Sequence, residues 1–309
     1  LIIGLLTALL AALMAVVATD LKRVLAYSTV SQLGYMVYAI GVGGVFASQF
    51  HLLSHAIFKA LLFLGAGAVI HAVGTRDMRQ MGGLRKQTPV VSTVFIIGAA
   101  ALAGLPIFNG FWSKELILES GLEGGPIWAY AGMVLGAGIT AFYTFRMVWL
   151  VFFGQPQGKT HVHDAGAPMQ TALIPLALGT LTSWLLIGWF GNWLQATLPY
   201  EHLHVAGTGE MLLAIITAPA TYLALAVVAL GLAAWWQRDR LTGLGRSLQG
   251  FGRAAANGFG FESLNQGAVN LTQKAAAALQ LTQTGQLNWN VVGIVAALVV
   301  VLLVLAGAA

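Results

Sequence analysis

His51, His55 and Lys59 recur at intervals of four within a largely apolar run from Val45 to Val73. On an α-helix that spacing keeps all three on one face, each roughly 6 Å further along the axis. The run is long enough to cross a bilayer, where a charged side chain costs about 2.5–3.5 kcal/mol on insertion scales. A single buried histidine is ordinarily a packing residue. Two imidazoles and an ammonium in register read instead as stations for protons or ions, since imidazole titrates near neutral pH and burial makes an ammonium a proton donor. The steps are too long for direct transfer, so waters or hydroxyls such as Ser54 must bridge them. His71, at the end of the run, reads as a solvated interface residue.

Lys114 and Glu115 form a second candidate. Gly104-Leu105-Pro106 interrupts the apolar run 88–120, and Asn109-Gly110 follows within about a turn. Proline removes a backbone donor and clashes with the preceding turn, so a kink or unwound stretch is expected. Non-helical backbone at membrane depth is tolerated where it is buried or lines a wet cavity, and broken helices beside buried charges recur in transporters. Lys114 is expected to be functional. Glu115 either pairs with it or acts as a terminal proton station, and adjacent helical residues point in different directions. Arg146 is explained by snorkelling to the interface, so its loss should be nearly silent. Ser28, Thr29, Ser31, Gln32 and Tyr35 offer either a polar lining or interhelical hydrogen bonds. His161-Val162-His163-Asp164, His202 and His204 read as solvated loop residues, not as metal ligands.

The elements that position these groups follow from composition. Of 309 residues, 58% are hydrophobic and only 8% charged, against about 25% charged in a soluble domain. The fold class is an all-α integral membrane protein; soluble-enzyme and nucleic-acid readings fall away. The absence of cysteine excludes disulfides, iron–sulfur clusters and thiolate zinc sites. About eight transmembrane segments are expected near 1–18, 24–42, 46–73, 88–120, 127–153, 168–190, 209–236 and 289–308, with 88–120 discontinuous. Alternating them places Lys22, Arg23, Arg76, Arg79, Arg85, Lys86, Lys159, Arg238, Arg240, Arg246, Arg253 and Lys274 on one side. The other side carries only Glu119, Glu123, Glu201 and Glu210. Basic loops stay cytoplasmic, which orients the chain and explains its basic balance without nucleic acid. Residue 1 is Leu and already reads as helix interior, so a C-terminal fragment of a longer membrane protein is expected.

The motifs TDLKRVLAYSTVSQLGYM (19–36), FHLLSHAIFKALLFLGAGAVIHA (50–72), MGGLRKQTPV (81–90) and GLPIFNGFWSKELIL (104–118) resemble the antiporter-like membrane subunits of respiratory complex I. The likeness is strong over about 1–155 and looser beyond. It implies proton translocation driven by electron transfer in other subunits, with no cofactor in this chain. His51, His55 and Lys59 would then be linking residues along a hydrated axis, and Lys114 on the discontinuous helix the terminal lysine. Implied partners are the other membrane-arm subunits, especially the neighbouring antiporter-like subunit M, which typically places a carboxylate where Lys114 stands. The implied location is a bacterial inner membrane. The implied organisation is a proton-translocating bundle over 1–155, further transmembrane helices over 156–236, an interfacial or lateral segment over 237–288 and a last transmembrane helix over 289–309. A long lateral helix is usual in the third of these, and the interval here is short and weakly amphipathic for one.

Overall fold

The computed structural model describes residues 1–156, 162–198, 207–240, 243, 247, 249–280 and 287–307. Lys159, His161, Glu201, His202, His204 and Arg246 lie outside the described residues. The described chain is all-helical apart from one isolated bridge, and it divides into two compact units, Leu1–Ala256 and Asn257–Ala309.

The first unit runs α1 (Ile2–Val17), α2 (Leu21–Gly41), α3 (Val45–Val73), α4 (Pro89–Ala103), α5 (Asn109–Gly124), α6 (Ile127–Val148), α7 (Ala167–Thr182), α8 (Ile187–Thr197), α9 (Thr208–Thr217), α10 (Pro219–Trp236) and α11 (Gln249–Ala256). Among the described residues five helical stretches are long and apolar enough to cross a membrane: Val45–Val73, Ile127–Phe153, Ala167–Thr197, Pro219–Trp236 and Leu287–Gly307. Helix α2 is long enough at 21 residues, but Lys22, Arg23, Ser28, Thr29, Ser31 and Gln32 make it polar. The expected segment 88–120 is two helices, parted at residues 104–108, where Gly104 ends α4 in the left-handed region at φ 79°. The segment expected at 209–236 also divides. Pro219 opens α10 and holds Ala218 extended at ψ 129°, as proline does to the residue before it. Between α7 and α8 the helix tightens into a 3₁₀ turn at Ser183–Leu186.

Small residues set the spacing that brings α2 to the site. Gly4, Ala8, Ala11, Ala12 and Ala15 are buried along α1. A Cβ on Gly34 would lie 2.5 Å from the Ala8 nitrogen, so the α1 and α2 backbones touch. Within a bilayer such close approach, and not water exclusion, holds helices together.

The basic loops converge at one end. Leu21 N–H donates to Arg76 O at 2.9 Å and Met78 N–H to Thr19 O at 2.9 Å, joining the α1–α2 turn to the α3–α4 loop. Arg79 donates to Asp77 there at 2.6 Å, and these hydrogen bonds hold the Asp77 carboxyl below the usual carboxylate range. Arg146 does not snorkel outward. Its Nη1 donates to the Ala18 carbonyl at 2.8 Å and so satisfies the C-terminal end of α1. Asp164 is likewise not a solvated loop residue: it accepts from Val90 N–H at 2.7 Å and Val91 N–H at 3.3 Å, capping α4. Among the described residues no His, Cys, Asp or Glu cluster suits a metal ion.

The second unit holds a 3₁₀ turn (Gly258–Gly260), α12 (Phe261–Gln280) and α13 (Leu287–Gly307). Helix α12 lies within the interfacial or lateral segment expected over 237–288, and α13 carries hydrophobic residues on every face.

Candidate functional site

The α3 ladder is buried as its spacing predicts. His51 is fully buried, and His55 and Lys59 are each 5% exposed. The face that carries them also holds Ala47, Phe50, Ser54, Phe58 and Leu62, whereas Leu52 and Leu64 point outward.

The opposing polar rail comes from α2. Lys59 Nζ donates to the Leu25 carbonyl at 3.2 Å and to the Ser28 hydroxyl. His51 Nε2 faces Gln32 Oε1 at 3.0 Å. Tyr35 lies further along the same helix; its hydroxyl donates to the Met133 carbonyl at 2.6 Å, and the Lys114 ammonium sits 5.9 Å from its ring centre. Residues 28, 32 and 35 therefore meet Lys59, His51 and Lys114 in turn. Spacings of four and three put them on one helical face.

The break supplies the third side. His51 Nδ1 lies 2.9 Å from Ser113 Oγ, and Ser113 Oγ lies 3.0 Å from the Asn109 carbonyl one turn earlier. Asn109 Nδ2 donates to the Ser54 carbonyl at 3.2 Å and to Ser183 Oγ at 3.0 Å, tying the start of α5 to α3 and to the 3₁₀ turn. Lys114 Nζ donates to the Leu102 carbonyl at 2.8 Å, a group that the end of α4 leaves without a helical partner. The negative end of the α4 dipole favours the ammonium there.

Glu115 goes elsewhere. It is 5% exposed, lies beside Thr221 of α10 and leaves Oε2 without a protein partner. Among the described residues neither Lys59 nor Lys114 forms an ion pair. Lys114 and Glu115 are adjacent in sequence but unpaired, and a local salt bridge is not what holds them. His71 is exposed, as an interface residue should be.

The ladder is separated into steps by its neighbours. The His51 and His55 ring centres are 6.1 Å apart, and His55 packs edge-on against Phe58 at 5.2 Å. Several buried polar atoms around the ladder have no protein partner: Gln32 Nε2, Ser54 Oγ, His55 Nε2 and Asn109 Oδ1. Such atoms cost about 1–3 kcal/mol each unless water satisfies them.

Sequence reasoning named His51, His55, Lys59, Lys114 and Glu115, and the structure gathers all but Glu115 around α2, α3 and the break. Gln32 and Ser28, which the sequence allows as either lining or packing, both touch the ladder. Ser113 and Asn109 were not singled out as site residues. Their signal was position, since each is a polar residue within a turn of the helix break.

Residues 1–140 match the family described as NADH:quinone oxidoreductase/Mrp antiporter, TM (Proton_antipo_M). NADH-quinone oxidoreductase subunit L of Escherichia coli K12 is 37% identical, over 98% of this chain and 53% of its own length. Subunit L of Mycobacterium tuberculosis H37Rv is 43% identical over 75% of this chain and 37% of its own. The NAD(P)H-quinone oxidoreductase chain 5 of Picosynechococcus is 51% identical over 50% of this chain and 24% of its own. The chain thus spans from about a quarter to about half the length of these relatives. Among solved structures, the Mrp complex from Dietzia aligns over 99% of this chain and 33% of that one, with TM-score 0.65 and 28% identity. An archaeal membrane-bound sulfane sulfur reductase shares the fold over 97% of this chain and 55% of that one, with TM-score 0.69 and 22% identity. The chain is a multi-pass integral membrane protein whose residues 1–140 match the antiporter-like subunit family common to NADH:quinone oxidoreductases and Mrp antiporters.

Proposed function

We propose that the chain serves as a proton-translocating membrane-arm subunit of NADH-quinone oxidoreductase, of the subunit L type. Redox chemistry takes place in other subunits, and this chain supplies part of the proton path and holds no cofactor. The observation that carries the reading is the buried succession around α2: Lys59 on Ser28, His55 beside His51, His51 between Gln32 and Ser113, and Lys114 on the carbonyl at the break. Insertion costs of about 2.5–3.5 kcal/mol for each ammonium argue against an inert anchor. The unpartnered polar atoms along the same surface are where ordered water would link stations too far apart to touch. In this reading about eight segments cross the bilayer, α4 and α5 form one discontinuous crossing, α12 is a shortened lateral segment, and subunit M is the neighbour.

A second reading, a subunit of a multisubunit Na⁺/H⁺ antiporter, is favoured by the family's double description and by the 28% identity to the Mrp complex structure. Pull-down of the native assembly in mild detergent, with partners identified by mass spectrometry, separates the two. Co-purifying flavin and iron–sulfur subunits that oxidise NADH support the first. An assembly of small membrane subunits without redox proteins refutes it in favour of the second.

A further inference from the structure

His51 is held from both sides by groups that have more hydrogen-bonding roles than a neutral ring can fill. Its Nε2 is 3.0 Å from Gln32 Oε1, its Nδ1 is 2.9 Å from Ser113 Oγ, and Ser113 Oγ is 3.0 Å from the Asn109 carbonyl. A neutral imidazole carries one N–H and a serine one O–H, while carbonyl oxygens only accept. Three contacts therefore compete for two protons. If Nε2–H donates to Gln32, Ser113 must donate to Nδ1 and release Asn109. If Ser113 keeps Asn109, its oxygen can only accept, and the ring proton must sit on Nδ1. The bare Nε2 then needs a donor, and Gln32 has one in its partnerless Nε2 amide once that group turns over. The doubly protonated ring fills all three contacts without any turning. Gln32, His51 and Ser113 are fully buried, so bulk water does not repair a broken contact.

We propose that Ser113 and Gln32 are positioning residues that select which nitrogen of His51 carries its proton, the hydroxyl and the amide turning together as a two-state clamp. A proton passing through His51 moves the ring between these forms, and the clamp resets it. Because Ser113 also holds the first turn of α5, the setting of the ring is joined mechanically to the helix break. The clamp rests on the reading of His51 as a proton station, but its first test does not use transport.

That test is ¹⁵N-histidine NMR of the full-length subunit in lipid, with the His51 signals assigned against His51→Asn. Ser113→Ala leaves Gln32 Oε1 as the remaining acceptor and should fix the proton on Nε2. Gln32→Met leaves Ser113 Oγ and should fix it on Nδ1. Each population should move roughly tenfold, the worth of about one net hydrogen bond. Proton pumping by the assembled complex should fall several-fold in both variants at normal subunit abundance. The same tautomer in both variants overturns the clamp; opposite tautomers with unchanged pumping uphold it and overturn the transport reading instead. Normal pumping in Lys59→Met would remove the transport reading instead, and the tautomer pair would still decide the clamp.

Discussion

Replacing Gly110 with alanine tests whether the break is built as described. A Cβ at Gly110 would lie 2.0 Å from the Ala101 carbonyl oxygen and 2.6 Å from its carbon. Both obstacles are backbone, so no side chain can turn aside, and reaching even 3.0 Å requires α5 to move from α4 by about 1 Å. Overpacking of this kind costs about 1–3 kcal/mol. The same movement pulls Lys114 from the Leu102 carbonyl, one residue beyond Ala101. Its 2.8 Å bond would pass the ordinary limit of about 3.2 Å. A charged hydrogen bond adds roughly 1.5–3 kcal/mol. The total is on the order of 3 kcal/mol or more, against marginal stabilities of about 5–15 kcal/mol. Gly67 is the control, because a Cβ there meets nothing within 4 Å. Gly67→Ala, inside α3, should be neutral or slightly stabilising. The assay is retention of the subunit in the purified assembly on heating, together with dye-monitored proton pumping in proteoliposomes. Gly110→Ala should lose both, and Gly67→Ala neither. Indistinguishable behaviour of the two would refute the close approach of α4 and α5.

Arg146→Ala should destabilise by about 1–3 kcal/mol, the worth of a charged bond to a partly buried carbonyl, with pumping per retained subunit unchanged; a silent variant in thermal challenge would mean that the Ala18 contact contributes nothing. Asp164→Ala should cost about 1 kcal/mol, typical of a lost helix N-cap, and Asp164→Asn should restore most of it. Equal melting of the two variants would count against capping of α4 by this loop.

The parts legible in the sequence are those governed by a single helix. The i, i+4 recurrence of His51, His55 and Lys59 fixed their common face before any neighbour was known, and Gly104-Leu105-Pro106 marked the break because glycine and proline act on local backbone. What could not be read is interhelical register. Ser28 and Gln32 meet Lys59 and His51 because α1 and α2 touch at Gly34 and because α2 and α3 pack in one particular offset. Several other offsets would have left the same polar residues on an interface. The roles of Arg146 and Asp164 are hidden from the sequence for a related reason. Each serves a helix end remote in sequence, 128 residues away for Arg146 and 74 for Asp164, and a local pattern gives no sign of such a partner. The division at Ala218 is different: Pro219 is visible in the sequence, and its effect on the preceding residue breaks an otherwise continuous apolar run.

The central claim is that Lys59 is a proton station and not a packing residue, and Lys59→Met tests it most directly. Removing Nζ orphans nothing: the Leu25 carbonyl still accepts from Ser28 and Thr29, each at 2.9 Å. Relief of about 2.5–3.5 kcal/mol of insertion cost offsets the lost charged bonds, so stability should change by no more than about 2 kcal/mol. The measurement is the proton yield per NADH oxidised by the reconstituted assembly, with subunit abundance checked in the same vesicles. A clear fall in yield at normal abundance is the expected result. An unchanged yield at normal abundance would contradict the assignment of Lys59 and, with it, the proton path.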